Sequence, residues 1–261
     1  MKSVRPVHAL FLFCAAAPLC AERASAVTLL SVDFGRDDTV GVGLVATTGT
    51  LLEPGFQGFY MSGAATFTGT ASQVYTGINA TYSTGSVTVA IQGESTGAAG
   101  NMGGRDRGSP TDSGAFTYGD LFRDGIARTK QTSTAGQFTV KLSGLLPLSS
   151  YSLTLWSANS TADVNTVYSW YDTSIGSTLL GTVTNGPANP LTATANTDYS
   201  ITANVQANAS GEVLLGVMSG NLSPTAGFIN GFQLNSAVPE PSSALMLGGL
   251  ALAAGFRRRR A

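Results

Sequence analysis

The chain has 261 residues, of which 43% are hydrophobic and only 11% charged, with 14 basic and 15 acidic side chains and a single histidine. This balance excludes the basic surface of a nucleic-acid binder, and the share of Val, Leu, Ile and aromatic residues excludes a wholly disordered chain. Two cysteines make no disulfide framework.

The first predicted element is a secretory signal peptide over residues 1–26. Lys2 and Arg5 precede an apolar run from Ala9 to about Leu19, and Ala24-Ser25-Ala26 offers small residues at the positions a signal peptidase reads. The run is too short to span a membrane. Ala17-Pro18-Leu19 before Cys20 lacks the small residue a lipoprotein signal needs. Cleavage after Ala26 removes His8, Cys14 and Cys20, and with them every His- or Cys-based catalytic or zinc arrangement. Seven basic and two acidic residues lie outside 27–238, which leaves 7 basic against 13 acidic and a net charge of −6 there. A cation or a neutral polymer suits such a domain better than an anion.

Residues 27–236 are expected to form a single β-sandwich domain. Short apolar runs alternate with Gly, Ser, Asn and Pro clusters. Strands are predicted over Thr28–Phe34, Ser86–Gln92, Gln137–Leu142, Tyr151–Ser157, Val164–Tyr171, Ser177–Val183, Tyr199–Val205, Glu212–Met218 and Gly227–Leu234. Tyr151, Leu153 and Leu155 point to one face and Ser152, Thr154 and Trp156 to the other, the period of a strand with one buried face. Asn185-Gly186 reads as a turn, and the single helical prediction is Asp120–Ala127. No repeat is evident. An all-β, two-sheet sandwich or jelly roll follows.

Four candidate sites lie along this domain. Asp33, Asp37 and Asp38, at or just past the first strand, are hard oxygen donors of the kind calcium takes; the alternative is a solvated turn capped by Asp38. Gly103-Gly104-Arg105-Asp106-Arg107-Gly108 reads as a loop in which Arg105 and Arg107 either grip a uronic acid carboxylate or pair with Asp106. Trp156, Tyr168, Trp170 and Tyr171 are either an exposed platform on which a sugar ring stacks or core packing beneath a loop or the second sheet. Glu53, Glu94 and Glu212 keep a carboxylate-based glycosidase open, without any recognisable paired motif. No cofactor is expected beyond a structural calcium ion.

Residues 237–261 end the chain. Pro239-Glu240-Pro241 is stiff and extended, Ser242 to Phe256 carry no charge, and Arg257 to Arg260 follow. The apolar stretch predicts a short transmembrane helix, lengthened by snorkelling arginines held on the cytoplasmic side.

The motif, the short apolar helix and the terminal arginines, in that order, resemble the PEP-CTERM sorting domain. The resemblance implies recognition at Pro239, Glu240 and Pro241 by an exosortase-type protease. It further implies a transient membrane anchor and final delivery to the cell surface or the extracellular, biofilm-forming matrix. Within the domain, Ser31-Val32-Asp33-Phe34-Gly35, Gly119-Asp120-Leu121-Phe122-Arg123-Asp124, Phe138–Leu142, Tyr151–Trp156 and Phe228-Ile229-Asn230-Gly231-Phe232 resemble malectin-like and other galactose-binding-like sandwiches. That likeness implies a jelly-roll fold, often carbohydrate binding and sometimes a structural calcium ion; residues 40–84 show no such pattern. The expected protein is therefore non-catalytic and associated with exopolysaccharide or a cell-surface glycan, with a purely structural matrix protein as the alternative.

Overall fold

A computed structural model describes residues 26–36, 52–61, 80–84, 87–94, 102–106, 111–129, 137–159, 166–184, 192–219 and 225–236. The signal peptide, the Asn185-Gly186 turn, Asp37, Asp38, Arg107 and the C-terminal segment lie outside these residues. Among the described residues no helix is long and apolar enough to cross a membrane.

The domain is a β-sandwich. In chain order its elements are β1 (Thr28–Arg36), β2 (Gln57–Met61), β3 (Ala80–Thr84), β4 (Val87–Glu94), β5 (Met102–Asp106), α1 (Gly119–Arg123), β6 (Asp124–Thr129), β7 (Gln137–Ser143), β8 (Ser150–Trp156), β9 (Val167–Asp172), β10 (Thr178–Thr184), β11 (Ser200–Gln206), β12 (Val213–Ser219), β13 (Thr225–Ile229) and β14 (Gly231–Ser236). A five-stranded sheet runs β11-β8-β14-β1-β2 and a six-stranded sheet β10-β9-β12-β7-β4-β3. Among the described strands β1 and β2 pair in parallel and the other pairs are antiparallel.

Alternation decides which residues meet between the sheets. Leu30, Val32 and Phe34 of β1, Leu153 and Leu155 of β8, and Phe232 and Leu234 of β14 face Val89 and Ile91 of β4, Phe138 and Val140 of β7, and Leu215 and Val217 of β12 in one continuous core. Both edges of this chain segment meet in space: Val27 N donates to Ser236 Oγ at 3.0 Å and Ser236 N to the Val27 carbonyl at 2.8 Å. Gly211 turns at φ +73° against the Leu145 carbonyl, a backbone region that other residues rarely enter.

A third sheet, β13-β6-β5, touches β1 on one side and β12 on the other. Here the structure corrects three sequence expectations. The predicted helix Asp120–Ala127 ends at Arg123 and continues as β6. β6 is the central strand of its sheet and is buried at every position from Asp124 to Arg128, so it shows no alternation, and periodicity cannot tell such a run from a buried helix. The Gly103–Gly108 loop is β5 as far as Asp106, and this strand, paired with β6, has few apolar side chains to announce it.

The third correction is at the closing strand, which is two strands in different sheets divided at Asn230. Asn230 is fully buried and uses all its polar groups. Its amide N–H donates to the Trp156 carbonyl (3.0 Å) and its carbonyl accepts from Phe34 N (2.7 Å). Its side chain donates to the Asp124 carbonyl (2.7 Å) and accepts from Ala158 N (2.6 Å). β2 and β3 lie in a region whose Gly- and Thr-rich composition carries little apolar pattern and predicts no strand.

Candidate functional site

The aromatic platform expected from Trp156, Tyr168 and Trp170 does not form. Tyr168 and Trp170 share one face of β9, as their spacing predicts, but that face is turned to the core and both are 0% exposed. β9 is flanked by β10 and β12, so its alternate residues must face the opposing sheet; Trp170 packs edge-on to Phe138 at 5.9 Å. Tyr171, on the other face, is half-buried.

Trp156 does lie opposite the core face of β8, yet it is 4% exposed. A second apolar cluster of Phe56, Phe116, Leu121, Phe122 and Ala158 covers it, with Tyr118 and Tyr199 at its margin. Phe56 and Tyr118 meet the indole edge-on at 5.9 and 5.5 Å, and Trp156 Nε1 donates to the Asn196 carbonyl at 2.7 Å. A sugar cannot stack on any of these three rings without unpacking the domain.

The same cover brings buried carboxylates together. Asp33, on the outer face of β1, is 0% exposed and accepts from Glu53 N at 2.8 Å through Oδ2. The Glu53 carboxylate in turn accepts from Leu121 N at 3.2 Å, in the first turn of α1, while Asp112 accepts from Gly119 N at 2.8 Å. Two side chains distant in sequence therefore satisfy the N-terminal amides of a helix whose own N-cap residue, Tyr118, makes no capping bond. Burial pushes the Glu53 carboxyl up to about 7, further raised by Asp112 and Asp120. Burial also raises Asp33 and Asp124 well above the carboxylate range.

Among the described residues Asp33 Oδ1 and Asp124 Oδ1 have no hydrogen-bond partner. Among the described residues no three His, Cys, Asp or Glu side chains stand close enough to hold a metal ion. Arg105, on β5, is half-buried and donates to the Gly104 carbonyl at 3.2 Å, and the adjacent Asp106 pairs with Arg123 at 3.7 Å.

A cleft opens elsewhere. At one edge of the sandwich β10 and β11, each the last strand of its sheet, lie side by side. Between them is an open cleft of about 410 Å³, lined by Thr182, Val183, Thr184, Thr192, Thr194, Asp198, Tyr199 and Ser200. This volume is within the range of small-molecule sites. Tyr199 sits at φ +54°, a strained conformation for an aromatic residue that persists only where its surroundings impose it. Its hydroxyl donates to the Thr192 carbonyl at 3.0 Å and its ring meets Phe122 at 6.2 Å. Asp198 closes the turn below, accepting from Thr194 N (2.7 Å), Thr194 Oγ1 (3.0 Å) and Ala195 N (3.1 Å), which holds its carboxyl below the usual range. The cleft was missed in the sequence because threonines 182, 184, 192 and 194 read individually as strand and loop residues.

Residues 237–260 match the PEP-CTERM protein-sorting motif, so the chain carries that sorting signal at its C-terminal end. No curated protein matches the chain. Among solved structures it is similar to TmCBM61 in complex with β-1,4-galactotriose, with 12% identity over 57% of this chain and 88% of that one and a TM-score of 0.31. It is also similar to a family 35 carbohydrate binding module from Clostridium thermocellum, with 11% identity over 53% and 92% and a TM-score of 0.27. An exo-β-1,3-galactanase from Phanerochaete chrysosporium matches with 15% identity over 60% and 43% and a TM-score of 0.29.

Proposed function

We propose that this is an exported surface or matrix protein, sorted through its C-terminal motif by an exosortase-type protease, whose sandwich associates with a neutral polysaccharide without catalysis. The observation that carries the polysaccharide reading is the cleft between β10 and β11. Its lining is rich in hydroxyls, its one aromatic residue is held in a strained backbone conformation, and its one carboxylate is occupied by three hydrogen bonds. Such a lining exchanges hydrogen bonds with a sugar and offers no basic group to an anionic ligand.

Glu53 retains its proton to about pH 7, a property that a glycosidase acid also needs. Its carboxylate is committed to capping α1 and it is 3% exposed, which favours the non-catalytic reading. A calcium ion at the end of β1 belongs to the proposal because Asp33 Oδ1 is buried without a partner and Asp37 and Asp38 follow in sequence.

The test is a glycan array probed with the full-length chain and with Thr182→Arg, which fills the cleft from an exposed position. Binding to neutral glycans that the substitution abolishes, with the melting temperature unchanged, is the expected result. Binding to no glycan would leave a purely structural matrix protein. Release of reducing ends by the wild type but not by Glu53→Gln would make it an enzyme.

A further inference from the structure

The outer face of the five-stranded sheet has two unlike halves. One row across the strands, Ser200, Trp156, Gly231 and Asp33, passes beneath the second apolar cluster and α1. The rows beyond it are exposed at Thr28, Thr202 and Asn204, half-buried along β8 and β14, and buried at Ser31. In register across β11, β8, β14 and β1 they read Thr202, Thr154, Gln233, Ser31 and then Asn204, Ser152, Asn235, Thr28.

All eight side chains are uncharged, and all carry a hydroxyl or an amide. A solvent-facing sheet surface ordinarily carries Lys, Glu and Arg, and none of the domain's 13 acidic and 7 basic residues stands in these rows. Six of the eight side chains are also held in place by one another. Thr28 Oγ1 donates to Asn235 Oδ1 at 2.7 Å, the Thr154 and Thr202 hydroxyls meet at 2.9 Å, and Gln233 Nε2 donates to Ser31 Oγ at 3.2 Å. A hydroxyl has one donor and two acceptor positions and an amide has more, so each pair keeps unused capacity toward solvent. Side chains fixed in advance lose less entropy when a ligand arrives. With strands about 4.8 Å apart, four of them present a row about 14 Å long.

We propose that this uncharged face is the docking surface for an extended strand of neutral polysaccharide, laid across β11, β8, β14 and the Thr28 end of β1 and held by hydrogen bonds. The proposal rests on the polysaccharide reading above and deepens it. A neutral polyol matches a face with hydrogen-bonding groups and no charge, whereas an anionic polymer or an acidic or basic protein surface finds no counter-charge there. The face carries no aromatic ring, so it suits a chain gripped along its length by its hydroxyls rather than a single sugar ring stacked in a pocket.

The experiment measures retention of the full-length chain on particles of cellulose, chitin and β-1,3-glucan and on immobilised β-1,4-galactan. The wild type is compared with Thr202→Arg, Asn204→Arg, Thr182→Arg in the cleft and Thr178→Arg on the other sheet. Thr202, Asn204, Thr178 and Thr182 are all exposed, and melting curves check that each variant is folded. Asn204→Lys replaces any arginine variant that fails to fold. At least a tenfold loss of retention with Thr202→Arg and Asn204→Arg, with Thr178→Arg unchanged, supports the proposal. Full retention of both face variants, with loss confined to Thr182→Arg, overturns this inference and leaves the polysaccharide reading standing. Retention of the wild type on none of the four materials overturns both.

Discussion

Glu53 N donates to Asp33 Oδ2 at 2.8 Å, and the Glu53 carboxylate accepts from Leu121 N at 3.2 Å. Through this one residue, strand β1 holds the start of helix α1. The helix in turn carries Leu121 and Phe122 into the apolar cluster over Trp156.

Glu53→Ala is expected to destabilise the domain by about 1–3 kcal/mol, because buried amides at the helix start lose their acceptor. Glu53→Gln keeps an acceptor oxygen and should cost less. Urea unfolding of both variants measures the difference. Equal costs would show that the cap contributes nothing specific.

The same residue makes stability depend on pH. A carboxyl raised from 4.5 to about 7 in the folded state binds its proton more tightly there than in the unfolded chain. Its contribution is complete below pH 4.5 and is lost as pH rises through about 7. The raised Asp33 and Asp124 act in the same direction. The melting temperature should therefore be several degrees higher at pH 4.5 than at pH 7.5 in EDTA, and Glu53→Gln should flatten the curve. Added calcium should remove the fall at pH 7.5 if it binds at Asp33; an unchanged curve would show that a proton, not a cation, serves that carboxylate.

Asn230→Ala leaves the Asp124 carbonyl and Ala158 N without their partners at a fully buried position. A loss of about 2–4 kcal/mol is expected, since each orphaned group carries its own desolvation cost. Calorimetry on this variant checks whether the junction of the sheets depends on one side chain.

Trp170→Ala opens a cavity at a residue that is 0% exposed, and about 3–5 kcal/mol should be lost. Trp156→Ala removes a ring that is 4% exposed together with its bond to the Asn196 carbonyl, with a similar expected cost. Melting curves indistinguishable from the wild type would return these rings to the surface.

Deleting Pro239 to Ala261 removes the matched sorting motif almost entirely. The truncated protein should leave the membrane fraction and miss its normal processing, as read by fractionation and by mass spectrometry of the C-terminus. Unchanged display would separate the motif from sorting.

Much of this protein was legible in its sequence because the signals are local. The Pro-Glu-Pro motif, the uncharged run and the arginines are contiguous, so their order alone identifies the sorting segment. Period-2 alternation in Tyr151–Trp156 and its counterparts announces strands, since successive side chains of an extended chain must point to opposite faces. Strand prediction fails where that reason lapses: in β6, buried on both faces, and in β5, where Gly103 and Gly104 leave no side chains to alternate. The fate of a side chain depends on what folds over it. Trp156 points away from the core as alternation requires, yet it is buried because residues 116–122 and Phe56 cover that part of the sheet. Thr154, two residues earlier on the same face, is only half-buried, with its hydroxyl against that of the exposed Thr202. Local chemistry determines which face a residue takes; only contacts between segments distant in the chain decide whether that face meets solvent, a second core or a ligand.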